Sequence, residues 1–131
     1  MMDARPRRAV PSIAQPDIPS EAGVYAFYRD GKAIYVGKAG SLRIRLWRYQ
    51  LGHGQSLTGA AFRRNVAEWI GISTAAAIKR RAYQPDDAEL AAIRAFIEEC
   101  EIAWIAQPSD GAATDLEARM KAEWKPPLTR I

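Results

Sequence analysis

Gly23-Val24-Tyr25-Ala26-Phe27-Tyr28-Arg29-Asp30-Gly31-Lys32-Ala33-Ile34-Tyr35-Val36-Gly37-Lys38-Ala39 is the stretch on which the fold turns. Residues 24–28 and 33–36 are rich in β-branched and aromatic side chains, and Asp30-Gly31 lies between them. Asp-Gly is a strong hairpin signal, because the tight turn joining two antiparallel strands needs positive φ at both central positions. Loop length then decides which side chains share a face. A two-residue loop at Asp30-Gly31 pairs position 28 with 33 and 25 with 36, sending Tyr25 and Tyr35 to opposite faces. A three-residue loop over Arg29-Asp30-Gly31 pairs 28 with 32 and 25 with 35. Two tyrosines that serve one site therefore require the odd-length loop or an equivalent bulge.

Upstream of the hairpin, four of the eight prolines fall at Pro6, Pro11, Pro16 and Pro19. Such a segment cannot form an uninterrupted helix or a central strand, and residues 1–20 read as an extended or disordered arm. Downstream, Gly37-Lys38-Ala39-Gly40 is a connector, and Ser41 can cap a helix running to about Leu51. Leu42, Leu46 and Tyr49 stand at i, i+4 and i+7 along it. Beyond Gly52-His53-Gly54 the chain reads as mostly helical. Residues 59–70 place Phe62, Val66 and Trp69 on one face, and a short piece covers 74–81. Pro85-Asp86-Asp87 opens a helix through Cys100 with Leu90, Ile93, Phe96 and Ile97 inward. Residues 101–106 read as a buried strand ended by Pro108-Ser109-Asp110-Gly111, and a last helix runs from Thr114 to just before Pro126-Pro127. The expected fold class is α+β: a small three-stranded antiparallel sheet flanked by helices. One domain spans 21–131, with a helical insertion over about 52–100.

At 131 residues and 14.5 kDa, with 48% hydrophobic and 26% charged residues, the chain has apolar material for one modest core. Its single cysteine, Cys100, excludes an internal disulfide and any cysteine-cluster metal site. No apolar run is long enough to span a membrane. The basic start leads into prolines rather than into the apolar core of a secretory signal, so a cytoplasmic location without a membrane partner is expected. Charge is concentrated in one block. Residues 29–64 carry eight basic side chains (Arg29, Lys32, Lys38, Arg43, Arg45, Arg48, Arg63 and Arg64) against Asp30 alone, within a chain of net charge +4. Such a block is the footprint of a polyanion binder or a solvated helix face.

The paired tyrosines, Gly23-Val24-Tyr25 and Tyr35-Val36-Gly37, resemble the core of the GIY-YIG nuclease superfamily, particularly its UvrC-type members. The resemblance covers residues 23–51 and, less closely, 101–128. It implies a GIY-YIG nuclease-like fold and a metal-dependent endonuclease that hydrolyses DNA phosphodiester bonds, with DNA repair the expected setting and restriction and mobile-element roles open. By the same resemblance Arg45, ten residues past Tyr35, contacts phosphate, and Tyr49 shares its helix face. Lys38 matches a basic position of UvrC-type members, and Arg43 and Arg48 flank Arg45 as nucleic-acid contacts. The resemblance favours Tyr25 as the base, with Tyr35 and Tyr49 as hydrogen-bonding supports. Thr114-Asp115-Leu116-Glu117 resembles the family helix that carries the metal-binding glutamate, which implies that Glu117 holds Mg²⁺ or Mn²⁺. The same four residues are also a capping box, which gives Glu117 a purely structural alternative. Thr129 stands where relatives place an asparagine and supplies one hydroxyl in place of an amide. The alternative on the same fold is a catalytically inactive nucleic-acid-binding module. A protein partner or a homodimer stays open.

Overall fold

The computed structural model describes residues 7–53 and 57–130. The hairpin forms where the sequence places it. Strand β2 (Gly23–Arg29) pairs antiparallel with β3 (Lys32–Ala39), and Asp30 and Gly31 both take positive φ, +52° and +78°, as a type I′ turn demands. The loop is thus the two-residue form, yet the tyrosines share a face. The pairing Tyr28↔Ala33 is followed by Phe27↔Tyr35, so Ile34 is an extra residue on β3. That bulge reverses the facing of everything after it.

Strand β4 (Glu101–Ala106) pairs antiparallel with β2 on its other side, and Arg8–Ala9 adds a short β1 against β4. The order is β1-β4-β2-β3, so the sheet has four strands where the sequence suggested three. A two-residue strand carries no hydrophobic period, and nearby prolines mask it further. Residues 7–20 lie against the body of the protein through buried Val10, Ile13 and Ile18.

Every side chain from Val24 to Tyr28 is buried, because both faces of β2 are covered. One face carries Tyr25, Phe27, Ile34, Tyr35 and Ile102 under the central helices α1 (Ala61–Trp69), α2 (Ala75–Lys79) and α3 (Asp87–Glu98). Phe27 stacks on Phe62 at 3.9 Å between ring centroids. The other face carries Val24, Ala26, Tyr28, Val36 and Ile105 under α4 (Asp110–Trp124), through Ala113, Leu116 and Met120.

Two elements differ from the sequence reading. Helix α4 starts at Asp110 rather than Thr114, with Ser109 Oγ accepting the Ala112 N–H at 3.1 Å as its cap. Ser-Asp-Gly suits turns and helix starts alike, which is why it read as a turn. The segment after Ser41 is not an α-helix; Ile44–Gln50 winds as a π-helix, with Leu51 N–H donating to Leu46 O at 2.7 Å across five residues. The wider winding directs Leu42, Leu46 and Gln50 inward. Tyr49, inward by α-helical spacing, is left only half-buried.

Candidate active site

The site lies along β3, the outer strand of the sheet, where side chains from both covering layers meet. Its centre is set by two glycines. A Cβ on Gly37 would stand 2.5 Å from Cζ and Oη of Tyr25, the residue paired with it across the strands. The Tyr25 ring therefore occupies the space a side chain at 37 would need. A Cβ on Gly23 would stand 2.5 Å from the carbonyl oxygen of Ile105. Tyr35 lies diagonally from Tyr25, its ring 6.3 Å away and inclined 29°.

Tyr25 is 1% exposed, and its hydroxyl accepts a hydrogen bond from Gln50 Nε2 at 2.8 Å. Gln50 is itself buried, and its Oε1 accepts the Phe62 N–H at 3.0 Å. A backbone N–H can only donate, so the amide's oxygen must face Phe62 and its nitrogen must donate to Tyr25. The Tyr25 oxygen is thus an acceptor from Gln50, which leaves its own proton to be donated elsewhere, with Tyr35 the neighbouring phenol. Gln50 was invisible to sequence reasoning because only the π-winding brings it inward.

Arg45 stands in the π-helical segment with its guanidinium carbon 5.0 Å from the Tyr49 ring centroid, so these two residues share a face as their spacing suggests. Tyr49 in turn packs against Gly59, whose added Cβ would lie 3.0 Å from the ring. Glu117 reaches the same region from α4. It sits two turns into the helix, so it caps nothing; the capping alternative is removed by Ser109. Its carboxylate is mostly covered and lies 3.4 Å from Lys121 Nζ.

Electrostatics tie these groups together. Burial first, and Tyr35 second, hold the Tyr25 hydroxyl well above the ordinary tyrosine value; the Gln50 bond and Arg45 pull it down, and Glu117 pushes it up. Burial and then Glu117 raise Tyr35, against Arg45, Arg64 and the neighbouring Tyr25. Arg45 and Glu117 therefore act on both hydroxyls. Of the two phenols, Tyr35 is the one that borders an open cleft of about 400 Å³, together with Arg64, Lys121 and Thr129. Thr129 Oγ1 accepts the Val36 N–H of the outer strand at 3.0 Å. Asn65, a second buried polar residue the sequence did not single out, donates from Nδ2 to Leu128 O at 2.8 Å and holds the C-terminal turn in place.

The remaining basic candidates lie outside this cluster. Lys38 Nζ is 3.7 Å from Asp110 Oδ2 at the start of α4. Arg43 Nε donates to Ile18 O at 2.8 Å, and Arg48 is exposed on the outer side of the π-helical segment. His53 stacks on Trp47 at 3.9 Å.

Among the described residues, no group of three or more His, Cys, Asp or Glu side chains could hold a metal ion. A cation here would depend on the Glu117 carboxylate with water and substrate oxygens. That suits a hard divalent ion such as Mg²⁺, which keeps much of its hydration shell. Glu117 fits the role: it is covered, free of any cap, and its charge already bears on both tyrosines.

No protein-family model matches the chain, and no curated protein matches it. Among solved structures it is similar to the GIY-YIG N-terminal endonuclease domain of UvrC from Thermotoga maritima, bound to its catalytic divalent cation, magnesium. The two share 22% identity over 86% of each chain, with a TM-score of 0.51. Two point mutants of that domain bound to the divalent cation, a tyrosine-to-phenylalanine and an asparagine-to-alanine change, match over 86% of each chain. Their identities are 21% and 22%, each with a TM-score of 0.51. The chain has a GIY-YIG nuclease-like fold. No helix among the described residues is long and apolar enough to cross a membrane.

Proposed function

We propose that the protein is a divalent-metal-dependent endonuclease that hydrolyses DNA phosphodiester bonds at the edge of β3. The observation that carries this reading is the joint action of Arg45 and Glu117 on the Tyr25 and Tyr35 hydroxyls, beside an open cleft. Glu117 would hold Mg²⁺ or Mn²⁺, which polarises the phosphate and offsets charge on the leaving oxygen. Arg45, steadied by Tyr49, offers a planar fork to the phosphate oxygens and to the extra negative charge of the transition state. Tyr35 presents the hydroxyl that orients the attacking water, because it borders the cleft and Tyr25 does not. Tyr25 serves it from behind, with its proton directed to Tyr35 by Gln50. Either phenol needs positive charge nearby to accept a proton near neutral pH, since burial raises both. Lys38, Arg43 and Arg48 extend the basic surface for the DNA backbone.

The test is nicking of supercoiled plasmid by purified protein with Mg²⁺ or Mn²⁺. Glu117→Ala and Arg45→Ala each abolish it under this reading, and undiminished nicking by both variants refutes the assignment. A second reading, a binding module without catalysis, is favoured by the Lys121 ammonium already beside Glu117. It yields salt-dependent DNA binding and no cleavage by the wild type with either metal.

A further inference from the structure

The cleft beside Tyr35 is walled by the helical middle of the chain, which the resemblance leaves without a role. Arg64 of α1, Lys79 of α2 and Lys121 of α4 all border it, together with Tyr35 and Thr129. Arg64 is not a loose surface side chain. Its Nη1 donates to the carbonyls of Leu57, at 3.5 Å, and of Thr58, which fixes the guanidinium against the short turn before α1. Both bonds use Nη1, one of the three nitrogens of the planar fork. Arg64 lies within electrostatic reach of both Tyr35 and Arg45. Two half-buried guanidinium groups held near each other repel, and an anion between or beside them relieves that cost. The acid bordering the cleft, Glu68, is already engaged through Oε1 by the Ala75 N–H at 2.8 Å.

Resting on the endonuclease reading above, we propose that Arg64 is a second phosphate-binding residue, holding a phosphate next to the scissile one on the same strand. Lys79 and Lys121 line the path that strand takes over α1 and α2. Arg45 holds the reacting phosphate; Arg64 sets the register of the strand relative to it.

The experiment is single-turnover cleavage, with Mg²⁺, of DNA in which single phosphates on either side of the cut are replaced by neutral methylphosphonates. At one flanking position the replacement slows the wild type roughly tenfold or more, the loss expected for a charge-assisted phosphate contact. Arg64→Gln slows cleavage of unmodified DNA similarly and shows almost no further loss at that position. Arg64→Lys, which keeps the charge and can still reach a carbonyl, falls between. Losses that multiply at every position overturn the proposal. If Arg64→Gln does not fold, the wild type still decides. Cleavage that tolerates every flanking methylphosphonate overturns the role of Arg64 and leaves the endonuclease reading intact. A wild type that cuts no unmodified DNA overturns the endonuclease reading, and Arg64 with it.

Discussion

Replacing Gln50 by leucine keeps the side-chain volume and removes both polar ends. The Phe62 N–H and the Tyr25 hydroxyl then lose the partner each has in a region closed to water. A buried polar group left unsatisfied costs about 1–3 kcal/mol. Tyr25 loses only the donor to its oxygen, so its share falls at the low end, and leucine returns roughly 1 kcal/mol through apolar burial. A net loss of about 1–3 kcal/mol follows. With an unfolding entropy of about 2.1 cal/mol/K per residue, the 131-residue chain melts about 4–11 °C lower. Calorimetry and urea titration on wild type, Gln50→Leu, Tyr25→Phe and the double variant measure the effect. The double variant loses less than the sum, because removing the hydroxyl removes one orphan. A drop in Tm under about 2 °C, or strict additivity, would refute the bridge from Phe62 through Gln50 to Tyr25.

Glu117→Gln eliminates metal-dependent cleavage while changing stability by under about 1 kcal/mol, since the Lys121 pair is of the weak i,i+4 kind; a large drop in Tm would recast Glu117 as structural. Burial raises Tyr25 and Tyr35 above the ordinary tyrosine value and lifts the Cys100 thiol from 9.0 to about 12. The protonated forms are thus favoured by the fold, and the stability they contribute is intact below about pH 9 and is lost as pH rises through the folded values. Urea midpoints measured from pH 8 to 11 fall progressively, and less steeply in Tyr25→Phe; a flat profile contradicts the burial argument. Cys100 also resists iodoacetamide at pH 8 until urea unfolds the chain, and rapid alkylation of native protein would contradict its placement. Thr129→Val loses about 1 kcal/mol by stripping the acceptor from the Val36 N–H, and hydrogen exchange at that amide speeds up accordingly; unchanged exchange would mean the contact does not form in solution.

The strands of the sheet's centre were legible because their signals are local. Asp30-Gly31 dictates its own turn, the apolar run at 101–106 forms the strand it suggests, and Asp86 with Glu89 forms the capping box that opens α3. The features that the sequence left open are set by packing instead. Whether Tyr25 and Tyr35 share a face depended on where one extra residue would bulge, and the hairpin's composition does not reveal that. Gln50 faces inward because the segment winds as a π-helix under α1, and residue spacing alone predicts Tyr49 there. The capping alternative for Glu117 arose because four residues matched a local motif, while the true cap sat five residues before that motif began. Arg64 is an ordinary member of the basic stretch, and Asn65 an ordinary polar residue after it, until α1 is laid beside the C-terminal turn.

The extra residue at Ile34 gives β3 something like a reading frame. With it, residues at odd positions after the bulge belong to the layer of α1 and those at even positions to the layer of α4. Straightening the strand while keeping every residue would exchange the two sets, carrying the Tyr35 ring across to Leu116 and Met120 and Val36 into the tyrosine layer. Nothing in composition, length or charge would change, and the sheet could still form. A chain of this kind can therefore lose its site by a shift of one position in pairing, and family members or designs that alter the hairpin must conserve the parity of the strand as strictly as the identity of its tyrosines.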